Sequence, residues 1–268
     1  MENLNLVLPE IFISLSIMFL LVLGVFKNNS SKLIFNISLL VLLITGVITL
    51  NETFSIDRKT LFNESVVIDY MATLMKIITL VSAFFVLVIS PSYLKTFKIF
   101  KIEYPILILS SVLGMMVMIS SNDLMVFYMG LELQSLALYV LATFNRDQLK
   151  SSEAGLKYFV LSALSSGLLL YGCSLIYGFS GSTNFEIIAD ELNSSNYVLT
   201  FGIVFILVGL AFKISAVPFH MWAPDVYEGS PTSVTLFFTM VPKIAALTVF
   251  IRFLYVPFLN LIDQWQMI

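Results

Sequence analysis

Long apolar segments recur along the whole chain, and they limit its possible folds more than any other feature. A helix needs about 20 apolar residues to cross the hydrocarbon core of a membrane. Eight segments come close to this length: approximately residues 6–26, 33–51, 69–91, 104–121, 123–144, 153–178, 199–221 and 232–256. Charged residues make up only 12% of the chain, against about 25% in soluble domains. We therefore expect an all-α polytopic membrane protein with about eight transmembrane helices.

The basic residues of the loops indicate how these segments are oriented. Loops on the inner side of a membrane carry an excess of lysine and arginine. If the N-terminus is outside, the inner loops contain Lys27, Lys32, Lys95, Lys98, Lys101, Arg146 and Lys150. Arg58 and Lys59 then lie in an outer loop. We therefore expect the N-terminus on the outer side. The tight polar turn at 120–123 should also make the fourth and fifth helices antiparallel neighbours.

The composition argues against several other classes of protein. The net charge is −3 and there is no basic stripe, so we expect no nucleic-acid partner. Cys173 is the single cysteine, which rules out an intramolecular disulfide and a cysteine-ligated cluster. His220 is the single histidine, and without nearby ligand partners it predicts no metal site. The first segment lacks a basic leader, so we interpret it as a retained helix rather than a signal peptide.

Four charged residues lie inside apolar segments: Glu132, Lys157, Lys213 and Lys243. A single charge at the centre of a bilayer costs about 2.5–3.5 kcal/mol on insertion scales. Such residues are retained where they face a protein interior or a water-filled path, which favours ion or proton conduction. Three other charged residues near segment ends are expected to be interface anchors or pairs: Glu10, Lys76 and Arg252.

Each of the four charges also has a structural interpretation. Glu132 is either a neutral, hydrogen-bonded glutamate or a carboxylate that pairs with a lysine of a neighbouring helix. Lys157 lies near the start of its segment, where it could extend to the interface or pair with Glu153 one turn away. Lys213 could likewise extend to the inner interface. Lys243 could pair structurally with Glu132 or with a backbone carbonyl.

Polar residues accompany these charges on the same helix faces. Ser135 and Tyr139 follow Glu132 at helical spacing, so they should share its face. Three serines follow Lys157 on its helix and could line a hydrated face: Ser162, Ser165 and Ser166.

A proline interrupts the segment that contains Lys213. Pro218 cannot donate a backbone hydrogen bond, so the helix must kink or break there. Non-helical backbone at membrane depth is tolerated only where it is buried in protein or lines water, and ion-coupled transporters use such discontinuous helices. Close by, His220 is an auxiliary proton carrier or a cap of the broken helix.

Three stretches of sequence resemble a known family. They are Gly130-Leu-Glu-Leu-Gln-Ser-Leu-Ala-Leu-Tyr139, Gly155-Leu-Lys-Tyr-Phe-Val-Leu-Ser162 and the longer stretch from Phe212 to Pro231. In these residues the chain is similar to the antiporter-like membrane subunits of proton-pumping NADH–quinone oxidoreductase (respiratory complex I), and the likeness extends over essentially the whole chain. The third stretch is long enough to be specific.

The resemblance implies a fold of two inverted five-helix repeats, each with one broken helix, preceded by extra N-terminal helices. Residues 1–103 would then be the N-terminal helices, and 104–256 the first repeat, with its break at Pro218. Residues 257–268 would begin the connection to a second repeat that this sequence does not contain. We therefore expect a C-terminally truncated member of the family.

The resemblance also implies roles for the charged residues. Glu132, Lys157, Lys213 and Lys243 would form a hydrophilic axis that transfers protons, with His220 as an auxiliary group. The chain would be a proton-translocating membrane-arm subunit, and quinone reduction elsewhere in the complex would drive it. Flavin, iron–sulfur clusters and quinone would be held by partner subunits and no cofactor by this chain, which has no Rossmann glycine motif and no cysteine cluster.

The expected partners are the other membrane-arm subunits, the lipid bilayer and, through the complex, the quinone pool. The expected location is the bacterial inner (plasma) membrane, with the mitochondrial inner membrane as the alternative. Two other functions stay open. The chain could be a subunit of a multisubunit cation/proton antiporter or membrane-bound hydrogenase, or it could be a non-conducting scaffold subunit of the same complex.

Overall fold

The computed structural model describes residues 2–27, 30–52, 58–191 and 197–266. The main helices are α1 (Leu8–Phe26), α2 (Ser31–Glu52), α3 (Tyr70–Thr96), α4 (Glu103–Ile119), α5 (Leu124–Ala142), α6 (Leu149–Ser180), α8 (Tyr197–Ile214) and α10 (Thr232–Tyr255). Three shorter helices are α7 (Phe185–Glu191), α9 (Trp222–Gly229) and α11 (Ile262–Trp265). Short 3-10 turns occupy Glu2–Val7 and Leu259–Leu261, and two strands, β1 (Lys59–Leu61) and β2 (Val66–Ile68), form an antiparallel hairpin.

The expectation of an all-α polytopic membrane protein is confirmed. Within the described residues, six helices are long and apolar enough to cross a membrane, namely α1, α2, α3, α5, α6 and α10. The expected fourth and seventh spans are shorter apolar helices, α4 and α8. The seventh was expected to continue to residue 221, but α8 ends at Ile214. The exact number of eight spans therefore stays a prediction.

The β-hairpin, which the sequence did not predict, covers one end of the bundle. Val67 donates its backbone N–H to the carbonyl of Ser120 at 2.8 Å, and Asn122 donates its own to Ser65 at 2.9 Å. The hairpin is thus joined to the turn between α4 and α5. We call this end of the bundle the hairpin end and the opposite end, where α9 lies, the α9 end.

Two aspartates explain where helices begin at the hairpin end. Asp69 precedes α3, and its side chain accepts the N–H of Ala72 at 2.7 Å. Asp123 precedes α5 and accepts the N–H of Met125 at 2.7 Å. Aspartate is a favoured N-cap because its carboxylate satisfies a backbone donor that the first turn leaves free.

Helices α4 and α5 are antiparallel neighbours, as the tight turn predicted, and two glycines let them approach closely. A Cβ on Gly114 would lie 2.5 Å from the backbone nitrogen of Gln134, and one on Gly130 would lie 2.8 Å from that of Met118. No side chain fits at these distances, so only glycine allows the two backbones to meet. This contact fixes the position of α5, the helix that carries Glu132.

Candidate functional site

The helix break that Pro218 predicts is present, and the C-terminus of α8 shows how it is built. Ala216 donates its N–H to the carbonyl of Ala211 at 2.9 Å, and Ser215 donates to Phe212 at 3.1 Å. Ser215 has a φ of 62°. This pair of bonds with a left-handed residue is the Schellman arrangement, which ends a helix. The helix therefore stops at Ile214, before Pro218, and resumes as α9 at Trp222.

Lys213 lies at this break and is only 7% exposed. Its Nζ donates to Ser135 Oγ at 2.8 Å and to Ser162 Oγ at 2.6 Å. Both serines lie near the middle of long apolar helices, Ser135 in α5 and Ser162 in α6. The ammonium is therefore held at mid-depth in the bundle, and it does not extend to an interface.

Tyr139 completes this group of residues. Its hydroxyl donates to Ser162 Oγ at 2.7 Å, and Lys213 Nζ lies 5.9 Å from the centre of its ring. A cation within about 6 Å of an aromatic ring is attracted to its face. We call Lys213, Ser135, Ser162 and Tyr139 the lysine–serine cluster. It joins α5, α6 and α8 through buried polar contacts.

Glu132 lies one helical turn before Ser135 on α5 and is partly buried. Lys213 donates to Ser135, so Glu132 lies one turn away from a hydrogen-bond partner of that lysine. Its Oε1 atom is buried and has no hydrogen-bond partner among the described residues. Since nearly all buried polar atoms in proteins are hydrogen-bonded, this unpaired carboxylate oxygen is an exception that a functional role or a bound water would explain.

Lys157 forms the local ion pair with Glu153 that its position in the sequence allows, and it has a second partner, Asp225. Its Nζ lies 2.7 Å from Asp225 and 2.9 Å from Glu153, and its side chain is 41% exposed. Lys157 lies near the start of α6, so its stem reaches the α9 end of the bundle. In the described part of the chain its ion pairs are with these two carboxylates and not with Glu132.

Asp225 is the functional candidate that sequence reasoning missed. It lies in the first turn of α9, where an acidic side chain is favoured by the helix dipole. Its partner Lys157 lies 68 positions earlier in the sequence. The available signal was an acidic residue just after the predicted break. The sequence did not indicate that this residue, Asp225, pairs with Lys157.

His220 lies within the break, and Lys243 lies beyond it on α10. Lys243 is partly buried near the middle of α10, and its Nζ lies 5.5 Å from the centre of the Tyr227 ring. No ion pair of Lys243 with Glu132 is found within the part that the structure describes. His220 Nδ1 and the Tyr227 hydroxyl are buried and have no partner among the described residues. In the sequence, both residues lie between Lys213 and Lys243.

Two further ion pairs lie at the hairpin end. Lys76, only 1% exposed, pairs with Glu10 at 2.5 Å. Arg252 is 4% exposed and binds both carboxylate oxygens of Asp69, at 2.7 and 2.8 Å. Glu10, Lys76 and Arg252 therefore form ion pairs, which was one of the two expectations for them. The Glu10–Lys76 pair is buried between helices, whereas Asp69 in the other pair is partly exposed. No group of three or more potential metal ligands is found among the described residues.

The family model described as NADH:quinone oxidoreductase/Mrp antiporter, TM, matches residues 121–268. This region contains the four predicted charges, the lysine–serine cluster and the helix break. NADH-quinone oxidoreductase subunit N of Pelagibacter ubique (strain HTCC1062) is 74% identical to this chain over 266 residues. The match covers 99% of this chain and 56% of that protein, so the chain spans about half the length of the curated relatives it matches.

Two solved structures have the same fold. A chain of respiratory complex I from Thermus thermophilus with bound aureothin matches with a TM-score of 0.79 and 29% identity, covering 91% of this chain and 52% of that one. A chain of the Mrp complex from Dietzia sp. DQ12-45-1b matches with a TM-score of 0.79 and 21% identity, covering 94% of this chain and 49% of that one. The second likeness concerns the fold alone. By its sequence match, the chain belongs to the NADH:quinone oxidoreductase/Mrp antiporter transmembrane family.

Proposed function

We propose that this chain acts in a proton-translocating membrane-arm subunit of NADH–quinone oxidoreductase, of the subunit N type. The observation that carries the proposal is the buried Lys213 ammonium, which donates to Ser135 and Ser162 at mid-depth. An ionisable group inside a membrane protein is expensive to maintain, and it commonly marks a proton or ion path. The 74% identity to a protein of that name supports the assignment.

In the proposed mechanism, Lys213 exchanges a proton with its neighbours as its electrostatic surroundings change. Redox energy released in partner subunits would alter the position or charge of groups near Glu132. Weaker attraction from the Glu132 carboxylate would favour release of the Lys213 proton, because a nearby negative charge stabilises the ammonium. The proton would pass towards Lys243, past His220 and Tyr227. Lys157 would act at the α9 end through Asp225 and not through Glu132.

We also propose how the helices of this chain are grouped and oriented in the membrane. Residues 1–103 would be N-terminal helices and 104–256 a five-helix repeat, with 257–268 leading towards a second repeat. The N-terminus and the hairpin end would face outside, and the α9 end would face inside, in a bacterial inner membrane. Flavin, iron–sulfur clusters and quinone would be held by partner subunits.

The direct test replaces Lys213 or Glu132 by alanine in the full-length subunit of the assembled complex. Proton uptake per NADH oxidised is then measured in membrane vesicles. We expect both variants to lower the ratio. Lys32→Ala is the control, since Lys32 is exposed near the start of α2, and it should leave the ratio unchanged. Unchanged coupling in both site variants would contradict the proposal.

A cation/proton antiporter subunit is the second candidate, because the matched family model covers Mrp antiporters as well as NADH:quinone oxidoreductase. Co-purification separates the two functions. Quinone-reductase partners favour the first, and a set of purely membrane antiporter subunits, or hydrogenase subunits, favours an alternative. A scaffold role predicts something else, namely that Lys213→Met lowers the amount of assembled complex in native gels in proportion to the lost activity.

A further inference from the structure

A pocket that contains five charged residues opens at the α9 end of the bundle. Its volume is about 160 Å³, and it is lined by Lys150, Glu153, Ala154, Lys157, Asp225, Glu228 and Gly229. Lys150 and Glu228 form an exposed ion pair at 3.3 Å, with about three quarters of each side chain accessible to solvent. We call this space the α9 pocket. It is polar and open to water, in contrast to the buried lysine–serine cluster.

Two stacked rings lie where the α9 pocket and the lysine–serine cluster adjoin. Tyr158 follows Lys157 in α6, and Trp222 is the first residue of α9, one turn before Asp225. Their ring centres are 4.7 Å apart with an interplanar angle of 17°. Each residue is only 4% exposed. Lys157 and Asp225, which lie close to these two rings in the sequence, therefore pair in the pocket. The rings themselves are buried.

On their other side the same rings contact the lysine–serine cluster and its neighbours. Tyr158 meets the Tyr139 ring edge to face, with the centres 5.1 Å apart. Trp222 stacks on Phe212, the residue before Lys213, at 5.5 Å, and its Nε1 donates to the Phe212 carbonyl at 3.0 Å. The aromatic contacts are thus continuous from residues beside the pocket to residues beside Lys213.

Trp222 also contacts the surroundings of Lys243. Its ring meets the Tyr227 ring at 5.8 Å and 74°, and Lys243 Nζ lies over that same Tyr227 ring. One tryptophan therefore contacts rings that adjoin Lys157, Lys213 and Lys243. Trp222 and Tyr227 both belong to α9. A shift of α9 would therefore change the contacts of Trp222 with Tyr158 and Phe212 together with that of Tyr227 with Lys243.

We propose that the α9 pocket is the inner mouth of the proton path and that the Tyr158–Trp222 stack is a gate between it and Lys213. The ion pair between Lys157 and Asp225 holds α9 against α6 and keeps the stack closed. When that ion pair opens, α9 moves, the rings separate and water reaches the lysine–serine cluster. While the rings are stacked, a charge would have to be desolvated to pass between them, which is unfavourable. The identity of what passes through the gate rests on the proposed function. Whether the stacked rings block access to Lys213 does not depend on it.

The test measures access from the inner side with a cysteine at Ser166, one turn beyond Ser162 on α6. Ser166 is buried, and its hydroxyl has no hydrogen-bond partner among the described residues. The full-length subunit carries Ser166→Cys with its native cysteines replaced by serine, in assembled complex within inverted membrane vesicles. The probe is a permanently charged trimethylammonium-ethyl methanethiosulfonate, which does not cross the bilayer. Lys150→Cys in the pocket serves as the reference for an open position.

We expect the cysteine at 166 to react slowly while that at 150 reacts fast. Trp222→Ala and Tyr158→Ala should each raise the rate at 166 by about tenfold or more, because the charged probe no longer has to be desolvated between rings. Asp225→Asn should also raise it, and Tyr158→Phe, which keeps the ring, should not.

Two outcomes would contradict the proposal of a gate. One is fast reaction at 166 with the stack intact, and the other is slow reaction in every ring and Asp225 variant that assembles. If Trp222→Ala fails to assemble in native gels, Tyr158→Ala and Asp225→Asn decide between the same outcomes. Labelling rates do not depend on pumping. A complex that pumps normally but shows no gated access would therefore refute the gate and leave the proposed function intact.

Discussion

Lys213 on α8 donates a 2.6 Å hydrogen bond to the hydroxyl oxygen of Ser162 on α6. This bond is possible because α8 ends just beyond Lys213, which leaves the ammonium beside the middle of α6. Ser162 also accepts the hydroxyl hydrogen of Tyr139. One serine therefore supports two donors from two different helices, and the properties of Lys213 depend on it.

Loss of the Ser162 hydroxyl should impair stability and proton uptake more than loss of the Ser135 hydroxyl. Ser162→Ala takes one of two acceptors from Lys213 and the acceptor from Tyr139. Ser135→Ala takes an acceptor from Lys213 and otherwise removes only a bond from Ser135 to the Leu131 carbonyl in its own helix. A buried donor without a partner costs about 1–3 kcal/mol. We expect Ser162→Ala to lower the thermal stability of the assembled complex and its proton uptake more than Ser135→Ala.

The matched control for this comparison is Ser110→Ala on α4. Ser110 is only part-buried, and its hydroxyl bonds the carbonyl of Ile106 in its own helix. It should therefore have little effect on stability or proton uptake. Equal losses in the Ser110 and Ser162 variants would mean that the lysine–serine cluster has no special role.

The contact between α4 and α5 predicts a strong effect of a single methyl group. Gly130→Ala would place a Cβ within 3 Å of backbone atoms of α4, so the helices must separate and Glu132, two positions later, must shift. We expect less assembled complex and lower proton uptake. Gly46→Ala on α2, where nothing lies within 4 Å, should be tolerated. Native gels and pumping assays on both variants check this, and a well-tolerated Gly130→Ala would refute the close packing.

The buried pair of Glu10 and Lys76 predicts non-additive effects. Removing one partner of a buried ion pair leaves an uncompensated charge and costs about 3–5 kcal/mol, whereas replacing both by apolar residues is often close to neutral. Glu10→Leu and Lys76→Met should each lower the melting temperature of the complex. The double variant should recover most of that loss. Additive losses in the double variant would show that the two side chains do not interact.

Much of the fold follows from segment hydropathy and from one proline. The apolar segments predicted the long helices, and Pro218 predicted the break. The exact end of α8 was not predictable, because Ser215 has a left-handed φ that serine does not favour. The hairpin was also missed, since strands of three residues between long helices leave almost no periodic pattern.

The sequence predicted the parts of the candidate site in which residues share one helix face. It did not predict the contacts between residues of elements that are far apart in the sequence. The spacing of Glu132, Ser135 and Tyr139 along α5 indicated a polar face, and Ser162 indicated another on α6. The partner of Lys157 depended on the position of α9 after an irregular loop, so its pairing with Asp225 could not be read from spacing. The stack of Trp222 on Tyr158 was hidden for the same reason.

The most direct test of the account is a high-resolution cryo-electron microscopy map of the assembled complex with the full-length subunit. The map would show whether Glu132, Lys213 and Lys243 share a hydrated interior path. We expect ordered water between Lys213 and Lys243, hydrogen-bonded to His220 Nδ1 and the Tyr227 hydroxyl, the buried atoms that have no partner among the described residues. Glu132 or Lys213 directed into the acyl chains, with dry packing between Lys213 and Lys243, would contradict this expectation.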